Sequence, residues 1–216
     1  MTPARAETAG GRFTREETMT ITADQVKQLR ELTGAGMMEC KKALSESGGD
    51  VEKAIDSLRK AGIAKAEKRS ERAASEGLVE AYIHPGNRVG VLIEVNCETD
   101  FVARTDEFQK LVRSLAIQVA GLRPLYTTVD AIPADVLDAK RAELMASDTV
   151  TKKPEAVRAQ IVDGQLKKWY SEVVLVEQPF RDTDITVGQL VTDAIARIGE
   201  NIRVRRFTRY ALAEEQ

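Results

Sequence analysis

The sequence predicts an α+β protein, in which a small N-terminal three-helix domain precedes an α+β core with an antiparallel sheet and flanking helices. Apolar residues recur at helical spacing over residues 22–63, and glycines separate the segments. The apolar period then changes to two over residues 78–95, as in a β-hairpin. Helical segments follow as a block before one closing strand, an order typical of α+β folds rather than of alternating βαβ units.

Composition narrows the class of protein. The 216 residues are 43% hydrophobic and 31% charged, which is typical of a soluble globular chain. A net charge of -2 gives no support to a nucleic-acid binder, and no apolar run approaches the ~20 residues of a membrane span. Two distant cysteines and one histidine exclude a disulfide framework and an ordinary zinc site. We therefore expect a cytoplasmic protein without metal or other cofactor.

Charge and apolar content divide the chain into four segments. The first eighteen residues lack an apolar stretch, so they are no secretory signal and are expected to form a disordered leader. Residues 64–76 carry many charges and few large apolar groups, which indicates a solvated helical extension or a linker. The predicted segments are the leader (1–18), a three-helix partner-docking domain (19–65), a charged linker (66–76) and the core (77–216).

The helical domain begins with a capping box, in which Thr22 and Gln25 satisfy each other's backbone amides. Val26, Leu29 and Leu32 follow at helical spacing and predict one apolar stripe. Glycines end the first and second helices, and Asp50 is the expected cap of the third. A bundle of ~40 residues is marginally stable alone and is common as a docking module.

The core begins with a hairpin, whose strands are predicted over residues 78–84 and 89–95 with a Pro-Gly-Asn turn between them. Capping residues, prolines and apolar spacing then predict the remaining elements. These are a helix capped by Thr105, a helix of about 12 residues after Pro133, a helical stretch from Pro154 to about Val176, a helix from Thr186 to Ile198, and a strand over 202–210. Gly164 is a candidate to interrupt the stretch that begins at Pro154.

Motifs for catalysis are absent from the sequence. It contains no GxxxxGK(S/T) phosphate loop, no GxSxG nucleophile turn and no HExxH zinc helix. Cys97 and His84 could approach each other across the hairpin as a nucleophile and its base, although a packed thiol explains Cys97 equally well. We therefore predict no catalytic residues.

The closing strand, residues 202–210, is basic and carries interleaved aromatic residues. Such a pattern suits single-stranded nucleic acid, so an RNA-associated binding protein is the alternative class. A half-buried strand whose arginines face solvent or an acidic partner explains the pattern without nucleic acid. With the overall charge near zero, we expect no direct nucleic-acid contact.

The connection between the hairpin and the helix capped by Thr105 contains Phe101 and Val102. Connections of this kind run over the surface, where large apolar side chains are unusual. Such side chains are either tucked beneath the connection or offered to a partner. Both interpretations remain open from the residues alone.

Three stretches resemble the elongation factor Ts family. They are VKQLRELTGAGMMECKKAL at 26–44, VGVLIEVNCETDFVAR at 89–104, and the tail with EQPF at 177–180 and IGENIRVRRF at 198–207. The resemblance extends from about residue 20 to residue 212, and each motif is long. It implies a three-helix domain like ubiquitin-associated modules, followed by an α+β core.

The resemblance also implies a function, guanine nucleotide exchange on the GTPase elongation factor Tu during translation elongation. In the family, the segment that corresponds to Thr99, Asp100, Phe101 and Val102 reaches the nucleotide pocket of that GTPase and helps to dislodge magnesium. GDP then leaves and GTP can bind. The resemblance therefore implies an exchange factor that acts by binding, with no catalytic chemistry of its own.

The helical domain of the family docks on the nucleotide-binding domain of elongation factor Tu, and we expect Met37, Met38 and Lys41 to take part in that docking. The chain resembles short family members, because the second core repeat and the extra carboxy-terminal module of longer members are absent. Short members use two copies to build the partner surface. The resemblance therefore implies a homodimer.

Overall fold

The computed structural model of the protein describes residues 21–181 and 183–214, so the predicted leader lies outside the described residues. This part of the chain mixes helices with a three-stranded antiparallel sheet, which confirms the predicted α+β class. The helices are α1 (Ala23–Thr33), α2 (Met37–Glu46), α3 (Val51–Ser70), α4 (Asp100–Ala103), α5 (Asp106–Leu122), α6 (Ala134–Ala146), α7 (Asp148–Thr151), α8 (Glu155–Val173) and α9 (Val187–Ile198). The strands are β1 (Glu76–Ile83), β2 (Val89–Cys97) and β3 (Arg203–Ala211).

The chain forms two compact units, and the division between them falls between Leu58 and Arg59, inside α3. The charged segment after residue 63 continues this helix as far as Ser70. Alanine, lysine and glutamate dominate that segment and are good helix formers. The proposed roles of the domains, docking and core, remain predictions.

In the first unit, the predicted caps are present. The Gln25 amide donates to Thr22 Oγ1 at 3.2 Å, and the Thr22 amide donates to Gln25 Oε1 at 3.0 Å. The Lys53 amide donates to Asp50 Oδ1 at 3.1 Å, and this bond is the main reason why the pKa of Asp50 lies below its ordinary value. The core of the unit consists of Val26, Leu29, Cys40, Ala43, Leu44 and Ala54.

Leu32 departs from the prediction, because its side chain is 63% exposed although its spacing matches that of Val26 and Leu29. Leu32 lies in the last turn of α1, immediately before Gly34 ends the helix in a left-handed conformation with φ 67°. The apolar stripe of α1 therefore stops one turn before the helix does.

The second unit contains the sheet, whose strand order is β1-β2-β3 with antiparallel neighbours. Leu78 pairs with Val95 and Ile83 with Gly90, and the register between β2 and β3 shifts at Glu94 and Val95. The predicted turn closes the hairpin with positive φ at Gly86 (89°) and Asn87 (56°), a conformation that glycine and asparagine tolerate best.

The two faces of the sheet differ in burial. On the inner face, alternate residues of β2 from Val91 to Cys97 are buried and pack with α5 and α9, as the period of two predicts. Phe108 and Leu115 of α5 are completely buried in this core. The outer face carries large apolar side chains that remain exposed, and these are Val79, Ile83, Leu92 and Tyr210.

The helices around the sheet follow the predicted caps, with one correction. Thr105 accepts from the Phe108 amide at 3.3 Å and Thr186 from the Gln189 amide at 3.2 Å. Helix α8 passes through Gly164 without a break, and a short 3₁₀ turn after Val173 ends the helical stretch. Gly164 is exposed, so the helix bears only the propensity cost of glycine there, about 1 kcal/mol.

Candidate functional site

The segment between β2 and α5 forms one helical turn, α4, rather than an irregular connection. Thr99 is its N-cap in an extended conformation, and its Oγ1 accepts from the Val102 amide at 3.3 Å. Asp100 lies in the first turn, where a negative charge is favourable to the helix dipole. The signal for this cap in the sequence is a threonine followed by an aspartate, a pair that was not predicted to start a helix.

Helical geometry separates the two apolar side chains of α4. The side chain of Phe101 is 77% exposed, whereas Val102 packs against the main core. Successive residues of a helix point about 100° apart, so the two side chains cannot share a face. Val102 therefore packs beneath the segment, and Phe101 points into solvent.

Asp100 lies beside Phe101 and is paired within its own turn. Its Oδ2 accepts from Arg104 Nη2 at 2.7 Å, and the two side chains are 45% and 76% exposed. An exposed ion pair of this kind contributes only about 0–1 kcal/mol. A partner that offers a cation or several donors can therefore displace Arg104 at small cost.

A partly buried hydrogen-bond network lies beneath α4 and joins it to the end of α9. The Glu200 carboxylate accepts from the amides of Glu98 and Thr99, both at 3.0 Å, and from Thr99 Oγ1 at 2.7 Å. Glu98 Oε1 accepts from the Asn201 amide at 2.6 Å. Asn201 Nδ2 donates to the Arg72 carbonyl at 2.7 Å. Glu200 and Asn201 belong to the IGENIRVRRF stretch at 198–207, and no local pattern in the sequence indicates their role.

The residues expected to dock the helical domain lie in the first turns of α2. Met37 is 46% exposed and Met38 is 77% exposed, and Lys41 is also exposed. Cys40 and Leu44 of the same helix face the core and are completely buried. The helix therefore presents Met37, Met38 and Lys41 outside its core face, and their part in docking stays a prediction.

The structure does not bring Cys97 and His84 together. Cys97 pairs with Glu76 at one end of the hairpin, and His84 lies beyond Ile83 at the other end, about 26 Å along the strand. Burial raises the pKa of the Cys97 thiol to about 11, and the nearby Glu200 carboxylate adds to this effect. The thiol donates to the Thr99 carbonyl at 3.2 Å. Cys97 is therefore a packed thiol rather than an activated nucleophile.

The basic closing strand has acidic partners within the chain. Arg205 and Arg206 both contact Glu94, the latter with 2.7 Å between Nε and Oε2. Partial burial works to raise the pKa of Glu94, but hydrogen bonds from Arg206 and Asn96 outweigh it and hold that pKa below its ordinary value. Arg209 pairs with Glu214. The strand thus offers less uncompensated charge to nucleic acid than its sequence predicts.

Within residues 21–181 and 183–214, no group of three or more His, Cys, Asp or Glu side chains is placed to hold a metal ion. Over the same residues, the helices are too short or too polar to span a membrane.

Comparisons with known proteins found one matching family and many similar chains. The family described as "Elongation factor TS" matches residues 13–194. The chain is 54% identical to elongation factor Ts of Synechococcus sp. (strain JA-3-3Ab) over 91% of its own length and 70% of the relative. It is 55% identical to the protein of the same name from Synechococcus elongatus, with 90% and 89% covered. Elongation factor Ts of Moorella thermoacetica is 56% identical, with 90% and 96% covered.

Proposed function

The chain belongs to the elongation factor Ts family, and we propose that it is a guanine nucleotide exchange factor for elongation factor Tu in the cytoplasm. It binds the complex of that GTPase with GDP, disturbs the magnesium and phosphate site, and promotes GDP release so that GTP can bind. One observation supports the proposal most strongly. The helical turn α4 exposes the Phe101 side chain to solvent, and next to it Asp100 is held only by an exposed ion pair with Arg104.

Exchange of this kind requires no catalytic group. If a factor binds the nucleotide-free GTPase more tightly than the GDP-bound form, thermodynamic linkage requires that it weaken GDP binding by the same factor. Only contacts that differ between the two states contribute to this effect. The Cys97 thiol has a raised pKa and lies at the opposite end of the hairpin from His84, so this pair is not arranged for catalysis. We therefore propose that the protein is not an enzyme.

In the partner's nucleotide site, magnesium binding is sensitive to small changes in geometry. Magnesium bridges GDP to the GTPase and demands nearly octahedral oxygen geometry at short distances, so a small shift of its ligands costs much of its binding. Phe101 is suited to act as an apolar wedge, since aromatic side chains anchor protein interfaces. Asp100 competes for the polar groups that hold the metal. Thr99 and Val102 keep this pair at the surface.

Docking away from the nucleotide site supplies the remaining binding free energy. Met37 and Met38 offer flexible apolar contacts at exposed positions of α2, and Lys41 adds a positive charge. This contribution is the same whether or not GDP is bound, so it sets the concentration at which the factor acts. The wedge, by contrast, sets the rate of release at saturation.

A direct test uses elongation factor Tu loaded with a fluorescent GDP analogue and chased with excess unlabelled GDP. We expect the protein to accelerate release by at least about tenfold, within the usual range of coupling between two bound ligands. An inactive preparation is excluded by showing cooperative unfolding of the same sample. A release rate unchanged by saturating protein would contradict the proposed function.

We further propose that the protein is a homodimer that pairs through the outer face of its sheet. Val79, Ile83, Leu92 and Tyr210 are each more than half exposed there, on three neighbouring strands. Exposed apolar side chains grouped on one face of a sheet indicate an interaction site, and the same face also carries the Glu94–Arg206 ion pair. A twofold axis through this face would bury the same residues of both copies, as in most soluble dimers.

Replacing Leu92 by glutamate should convert the dimer to a monomer. Leu92 lies on the central strand and is 51% exposed, so the new carboxylate is solvated in the monomer but buried and unpaired in the dimer. Size-exclusion chromatography with light scattering measures the mass. Met145→Glu, at a 43% exposed position of α6, is the matched control and should remain dimeric. A dimeric Leu92→Glu protein would exclude this face as the interface.

A further inference from the structure

We infer that Glu200 is a positioning residue for exchange, whose carboxylate fixes the cap of α4 and thereby the direction in which Phe101 points. This role rests on the proposed function, because it matters only if Phe101 acts on a partner. Glu200 itself is half-buried beneath the segment and lies 99 positions after Phe101 in the sequence.

The geometry of Glu200 is unusually well defined for a surface carboxylate. Gly199 ends α9 in a left-handed conformation with φ 92°, and this turn directs the next side chain back towards β2. Oε2 accepts from two successive backbone amides, those of Glu98 and Thr99, and Oε1 accepts from the Thr99 hydroxyl. All three donors bond to the same ionised carboxylate, and hydrogen bonds to a charged acceptor are stronger than those between neutral groups.

The Thr99 hydroxyl connects this carboxylate to α4. A hydroxyl has one proton and two lone pairs, and the proton of Thr99 is directed to Glu200 Oε1. The lone pairs therefore remain available to the Val102 amide, which is the capping bond of α4. Glu200 thus selects the hydroxyl orientation that starts the helix.

Helix α4 depends on such support because it is only four residues long. A single helical turn fixes several backbone dihedrals for one or two hydrogen bonds and is unstable alone in water. Two further contacts hold its base in place. Cys97 Sγ donates to the Thr99 carbonyl, and the Asn201 amide donates to Glu98. The exposed Phe101 makes no comparable contribution to the core, so its direction follows from the base of the turn.

The experiment measures GDP release by elongation factor Tu with Glu200→Ala and Glu200→Gln, each alone and combined with Phe101→Ala. We expect Glu200→Ala to lower the maximal release rate about tenfold and Glu200→Gln about threefold, because the amide keeps one acceptor but loses the charge. In the Phe101→Ala background, neither change should lower the rate further. Such non-additivity is the signature of residues that act through one another, and a merely structural role would not produce it.

Two measurements separate positioning from loss of fold. Amide hydrogen exchange should accelerate at Glu98 and Thr99 in Glu200→Gln, while thermal unfolding stays close to that of the unchanged protein. Glu80→Gln is the matched control, since Glu80 is a partly buried carboxylate of the same unit that pairs with Arg113. It should leave the release rate unchanged.

The outcomes distinguish this inference from the proposed function. If Phe101→Ala slows release but the Glu200 variants do not, or if their effects multiply independently, Glu200 has no positioning role. If the unchanged protein does not stimulate release at all, the proposed function itself fails and the Glu200 variants are not the cause.

Discussion

Replacing Phe101 by alanine should lower the maximal rate of GDP release that the protein stimulates by about a hundredfold. Truncating a central aromatic anchor of an interface typically costs 2–4 kcal/mol, and each 1.36 kcal/mol is tenfold in rate. The side chain is 77% exposed in the free protein, so its removal leaves a small or no change in the free energy of unfolding. The loss should therefore appear in function alone.

The measurement is a titration of each variant against elongation factor Tu that carries fluorescent GDP. The maximal rate should fall much more than the half-saturating concentration rises, because the variant retains the docking proposed for α2. Leu125→Ala is the matched control, since Leu125 is 66% exposed in the same unit but distant in sequence from α4. A maximal rate within twofold of the unchanged protein's would exclude the wedge.

Replacing Leu44 by alanine should have the opposite signature, a half-saturating concentration about 10–100 times higher with little change in the maximal rate. Leu44 is completely buried in the first unit, and a Leu→Ala change in a core costs about 2–5 kcal/mol. A unit of this size has a stability of only a few kcal/mol. The change should therefore unfold the helical bundle and remove the docking contacts proposed for it.

Amide exchange resolved by segment reports whether the bundle has unfolded, and the release assay reports the concentration dependence. Leu166→Ala is the control, because Leu166 is equally buried in the separate cluster formed by α6, α7 and α8. If the bundle unfolds and the half-saturating concentration does not change, then Met37, Met38 and Lys41 do not dock the protein to its partner.

The fold was predictable where local signals determine the backbone. The capping box at Thr22, the cap at Thr105 and the glycine after Ile198 each act within a few residues, so they can be recognised in the sequence. The period-two pattern of β2 likewise predicted which face is buried, since alternate side chains point to opposite faces.

The structure departs from the sequence-based predictions where tertiary contacts determine the conformation or the burial of a residue. Gly164 does not break α8 because a single exposed glycine costs less than the packing of the surrounding helix contributes. Leu32 matches the apolar period of α1, but the helix extends beyond its core contacts at that point. The sequence left open an approach of His84 to Cys97, whereas the register of the hairpin puts them at opposite ends.

The candidate site likewise combines features that the sequence indicates with features that depend on the tertiary structure. The sequence drew attention to Phe101 and Val102 but left both burial and exposure open, because that choice depends on where α4 sits on the core. The contacts of Glu200 join residues about one hundred positions apart, and no local pattern encodes such a pairing. Those contacts form only when folding brings the end of β2 and the end of α9 together.

The most direct test of exchange by unequal binding is titration calorimetry of the protein against elongation factor Tu in two states, free of nucleotide and saturated with GDP and magnesium. We predict a dissociation constant at least about tenfold lower for the nucleotide-free form, matched by an equal weakening of GDP binding. Equal dissociation constants for the two forms would contradict the account, since a ligand with no preference between two states shifts neither.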